Sequence, residues 1–130
     1  MSKIVEMMRN KNYFICEQGA TTAEVEDAQR ALGLTFAEDY RTYIQECGSA
    51  SYEGHELTGI SKDLNLDVVT VTNKNLARKQ TINMPLYVIE ETHIDGIVIW
   101  QAPDKKVYQT GMNTEPVKIA EDLAEYIQLS

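Results

Sequence analysis

The sequence predicts an α+β fold: an antiparallel β-sheet meander flanked by several α-helices, in a single domain over residues 1–130. Three observations predict it. Two stretches with helical apolar spacing meet at a glycine in the first third of the chain. Between residues 86 and 110, three apolar, β-branched runs are separated by tight-turn residues. Residues 120–129 then return to helical spacing.

The elements follow in order. Residues 2–11 suit a first helix, with Ile4, Val5, Met7 and Met8 on one side, the methionines docked on the core. Tyr13 to Cys16 is a short apolar run that suits an extended segment, and residues 17–20 form a turn. Residues 23–32 read as helix: Val25, Ala28 and Leu32 make one stripe, and Glu24, Glu26, Asp27 and Arg30 the other face. Thr21 and Glu24 fit a capping box, and Gly33 a left-handed end. Thr35 suits the cap of the next helix, in which Tyr40, Tyr43, Ile44 and Cys47 share a face and Glu38 and Asp39 favour the dipole. Gly48 stops it. Tyr52 and the run Glu56 to Thr58 suggest short strands around Gly54.

Residues 66–79 read two ways. Val68, Val69, Thr70, Val71 and Thr72 have strand propensity. Leu66, Val69 and Leu76 also fit a helix, with Asn65 as cap, Asp67 in the first turn, and Arg78 and Lys79 at the end. Beyond lie strands at 86–91, 97–102 and 106–110, with Asp95-Gly96 as the tight turn between the first two. The second is apolar throughout and so central. A loop over 111–116 leads to the last helix, with Ala120, Leu123, Ala124 and Ile127 inward.

Composition bounds function. A hydrophobic fraction of 43% and a charged fraction of 25% are ordinary for a globular domain. Net charge is −8, and residues 17–67 carry eleven acidic residues against three basic ones. This excludes the basic footprint of a nucleic-acid binder and a docking site for an anionic membrane. It permits a basic protein partner, and it equally suits plain solubility. No apolar run approaches the length of a bilayer span, and the first residues lack a secretory h-region, so a cytoplasmic location is expected. There Cys16 and Cys47, which could pair, are expected reduced, with Cys47 a small core residue.

Chemistry is hard to find. His55 and His93 are the only histidines, and neither sits in a ligand-spaced motif. His55, Glu56, Glu53 and Asp63 could be drawn together as a metal site, but flanking glycines favour an exposed loop histidine, and no metal is expected. Cys47 and His55 have the residue types of a thiol site, yet Cys47 lies on an apolar stripe. No phosphate loop, nucleophile elbow or dinucleotide fingerprint is present, and no cofactor is expected. Glu90 and Glu91, adjacent on a strand, point to opposite faces and cannot form an acid/base dyad; one solvated and one rim position are expected. Tyr87, Trp100 and Tyr108 could form a binding platform, with core the favoured reading.

The order Leu32-Gly33-Leu34, a short turn, Glu38-Asp39-Tyr40-Arg41, Tyr43-Ile44 and Gly48 resembles the SUKH superfamily, which includes the fungal Smi/Knr cell-wall regulators and bacterial immunity proteins. Residues 51–60 and 119–127 are similar to its following segment and closing helix. Phe36-Ala37 stands where the family has Leu-Pro, and Cys47-Gly48 where it often has Asn-Gly. The resemblance implies a SUKH fold, with helix at 66–79, and a non-catalytic binding protein. Its bacterial branch implies immunity: binding and occluding a cognate toxin domain, expected to be basic, with a nuclease domain among the candidates. Its fungal branch implies a regulatory scaffold instead. Loop position and charge make Glu53, Glu56, Asp63 and Asp67, with Glu90, Glu91 and Asp95 at the hairpin end, the candidate partner-binding residues.

Overall fold

A computed structural model describes residues 1–78 and 82–130. The described residues form α1 (Lys3–Arg9), β1 (Ile15–Cys16), α2 (Thr22–Leu32), α3 (Glu38–Cys47), β2 (Ala50–Tyr52), β3 (His55–Leu57), α4 (Val68–Arg78), β4 (Tyr87–Glu91), β5 (Val98–Gln101), β6 (Val107–Thr110), β7 (Val117–Ala120) and α5 (Leu123–Leu129). The architecture is α+β, as expected. The strands lie side by side in chain order, each antiparallel to its neighbour. The expected three-stranded meander is β4–β6 of this seven-stranded sheet. β7 follows the loop expected over 111–116 and ends at Ala120, which was expected to begin the last helix.

The helix pair forms for the reasons its sequence offers. In α2 the Thr21 hydroxyl accepts from the Glu24 amide at 3.1 Å, and the Glu24 carboxylate accepts from the Thr21 amide at 2.9 Å. Gly33 closes it in the left-handed conformation. In α3 the stripe Tyr40, Tyr43, Ile44 and Cys47 is fully buried. Thr35 does not cap α3. Ala37 holds that position without a side-chain bond, and its amide donates to the Tyr87 hydroxyl at 3.0 Å. Tertiary contact thus replaces a local cap.

Residues 68–78 are helical despite five β-branched or hydroxyl residues in a row. Val68, Val71 and Thr72 are buried, so packing overrides propensity. The cap is Asp67, not Asn65: its carboxylate accepts from the Thr70 amide at 3.3 Å and the Thr70 hydroxyl at 3.2 Å. The expected terminal charge at Lys79 lies outside the described residues.

The sheet is covered on both faces. One face carries Tyr87, Ile89, Ile99 and Val107 and packs on α1, α3 and α5 through Val5, Met8, Tyr43, Ile44, Leu123 and Ile127. In α5 Leu123 and Ile127 are inward as expected, Tyr126 joins them, and Ala124 is only half-buried. On the other face, Val88, Val98 and Trp100 meet Val71 of α4. Trp100 pairs with Tyr108, but Tyr87 pairs with Gln101 and so faces the opposite way. The three aromatics therefore make no shared platform.

Cys16 and Cys47 are joined by a disulfide, which corrects the expectation that both are reduced. β1 lies beside the C-terminal end of α3, and the two Cα atoms are 5.0 Å apart, within bridging distance. Next to this bond three chain segments cross at Gly48. A Cβ on Gly48 would sit 2.2 Å from the Gln18 carbonyl oxygen, and one on Gly59 would sit 1.6 Å from that of Gly48. Only hydrogen fits at either position.

Candidate partner-binding site

The candidate acidic residues are distributed by the sheet. Glu53 and Gly54 form the tight turn between β2 and β3, both at positive φ, and Glu53 exchanges hydrogen bonds with the Asn12 backbone at 2.9 and 3.0 Å. Asp95 and Gly96 repeat that conformation at the β4–β5 tip, where the Ile97 amide donates to the Ile94 carbonyl at 2.9 Å. Glu53 and Asp95 are exposed at the tips of different hairpins. Asp63 accepts from the Asn65 amide at 3.0 Å, and Asp67 is occupied as the α4 cap.

Three of the seven converge. Glu56, Asp63 and Glu91 line a cleft of about 360 Å³ between α4 and the loop before it, together with Asn65, Lys74 and His93. Glu91 accepts from Lys74 at 3.1 Å and from the Asn75 amide nitrogen at 2.9 Å. Glu56 and Asp63 have no cationic partner within ion-pair distance among the described residues. The cleft thus has an acidic rim with one internal cation.

Glu90 does not belong to it. A bulge between Val88 and Glu90 shifts the register, so Glu90 pairs with Ile99 and points to the α5 face, while Glu91 pairs with Val98 and points to α4. The two carboxylates do take opposite faces, but Glu90 is only 3% exposed, which corrects its assignment to a surface patch. It is fully used inside: it accepts from the Tyr126 hydroxyl at 2.5 Å and from His55 Nδ1 at 2.9 Å. His55 is therefore a half-buried strand residue, not a free loop histidine. Its ring stacks on Tyr52, with centroids 5.2 Å apart. Burial, reinforced by the charge of Glu90, pushes the Tyr126 phenol well up. Burial also raises Tyr52 to about 12, against the opposing Ser130 hydrogen bond.

Sequence reasoning missed this network. Its signal was present: a carboxylate next to the apolar run from Leu86 to Ile89 needs donors, and His55 and Tyr126 supply them. The network borders an apolar groove of about 320 Å³, lined by Ile94, Ile97, Ile99, Ile119 and Leu129. Gln109 and the His55 ring give the groove polar edges.

The curated proteins contain no match to the chain. A family model, SUKH_5, described as SMI1-KNR4 cell-wall, matches residues 1–129. With the helix pair, the antiparallel sheet and the closing helix all inside that match, the chain belongs to the SUKH superfamily.

Proposed function

We propose that this chain is a non-catalytic, cytoplasmic binding protein of the immunity type, which neutralises a basic toxin domain by occluding its working surface. The observation that carries the reading is the cleft where Glu56, Asp63 and Glu91 converge, on a chain of net charge −8. Long-range attraction speeds encounter with a cationic partner, and contacts at the cleft rim set the register. Apolar anchors then hold the complex. The family's description as SMI1-KNR4 cell-wall supports a second reading, a regulatory scaffold without a toxin partner.

Co-expression tests the first reading. The chain is expressed beside each candidate toxin domain from its source genome, and survivors are counted. Rescue from a single toxin is the expected result. No rescue from any lethal, well-expressed toxin transfers the reading to the scaffold. With the rescued toxin in hand, Glu56→Ala with Asp63→Ala should slow association about 3- to 10-fold at low salt, with little change in dissociation. An unchanged association rate removes this cleft from the interface.

A further inference from the structure

The Cys16–Cys47 bond joins a weakly held segment to a fixed one. Cys47 ends α3 and is fully buried. Cys16 is exposed on β1, whose two residues bury neither side chain. Only two register pairs, Ile15 with Ser51 and Cys16 with Ala50, join β1 to β2. So short a ladder is marginal in water. Ile15 stays 60% exposed and Tyr13 86%, so the strand gains little from apolar burial.

The chain on either side is better held. Phe14 packs against the core, and Asn12 is bound to Glu53. Downstream, the Ala20 amide donates to the Ile44 carbonyl at 2.9 Å. Residues 15–18 therefore form a strap, fastened by backbone hydrogen bonds and one covalent link.

We propose that the Cys16–Cys47 bond is a two-electron redox tether, whose reduction releases residues 15–18 from the β2 edge of the sheet. The exposed Cys16 is the sulfur a dithiol reductant reaches. Its thiolate attacks Cys16 Sγ, the sulfur–sulfur bond breaks, and Cys47 leaves as thiolate and takes up a proton. The second thiol of the reductant resolves the mixed disulfide, so both cysteines end as thiols and the reductant as its own disulfide. The tether stands independently of the proposed function.

Backbone NMR on the full chain tests it, in air-oxidised protein, after dithiothreitol, and in Cys16→Ser. The variant changes an exposed residue and leaves the core side chain in place. Order parameters for residues 15–18 should be about 0.85 in the oxidised form and below about 0.6 in the other two, with α3 and β4–β6 unchanged. Two alkylatable thiols in the air-oxidised protein would overturn the proposal. So would a strap that stays ordered in both the reduced chain and the variant.

Discussion

Glu90 and Glu91 are neighbours in β4, yet one is enclosed in the core and the other half-buried at a cleft. Glu90 faces α5 and is enclosed by Tyr126 and His55. Glu91 faces α4 and shares a cleft with Glu56, Asp63 and Lys74. The same functional group, one residue apart, takes opposite roles because a bulge sets which side of the sheet each reaches. A carboxylate's charge therefore says little about its role until its face and its donors are known. Enclosed by its donors, it organises the core; half-buried at a cleft beside other carboxylates, it can meet a partner.

Removing Glu90 should give the largest effect. Glu90→Ala leaves the Tyr126 hydroxyl buried without an acceptor and His55 without its partner, which should cost about 2 to 4 kcal/mol in urea denaturation. A loss under about 1 kcal/mol would erase the contrast with Glu91.

The next effect is alkaline. Tyr52 lies in the same buried neighbourhood, with its phenol raised from 10.0 to about 12, so folding favours the neutral form. Its contribution is complete below pH 10.0 and is lost as pH rises through about 12, since the unfolded chain ionises first. Tyr126, Tyr40, Tyr43 and Tyr87 are raised in the same direction by burial. Stability measured between neutral pH and pH 11 should fall above about pH 10, and Tyr52→Phe should flatten the slope. A flat profile in the parent chain would mean these phenols are open to water.

Glu91→Ala should give the smallest change, within about 1 kcal/mol, because Lys74 can turn to water and Asn75 keeps its hydrogen bond to the Val71 carbonyl. A cost comparable to that of Glu90→Ala would make both faces structural. The cleft would then lose its standing as a recognition surface.

The fold was legible where local chemistry and burial agree. The capping box at Thr21, the left-handed Gly33 and the stripe from Tyr40 to Cys47 each announce their element and then form it. The β-branched run from Val68 to Thr72 shows the limit, since only its packing against the sheet settles helix over strand. Strands β1 and β7 were missed or half-seen because an edge strand carries no strong alternation: Ile15 and Val117 are exposed while Ala120 is buried. The site was legible only as a list of charges. Strict alternation correctly separates Glu90 from Glu91, but it cannot reveal the bulge that decides which of them meets α5. Nor could it bring Glu56, Asp63 and Glu91 to one cleft, because their convergence is a product of strand order.

The crossing at Gly48 has a consequence for how this protein can diverge. A side chain at residue 48 or residue 59 would collide with a carbonyl oxygen of another segment, so neither position tolerates substitution without moving the backbone. Gly19 meets the same barrier at the Gln45 carbonyl oxygen, 2.1 Å from where its Cβ would sit. Around it, Glu17, Gln18, Lys62 and Asp63 are exposed beside a second cleft of about 520 Å³. Drift is thus channelled. The hub is frozen at three glycines, Gly19, Gly48 and Gly59, while the exposed side chains beside them can be rewritten residue by residue. A lineage of such proteins could change partners without changing its frame.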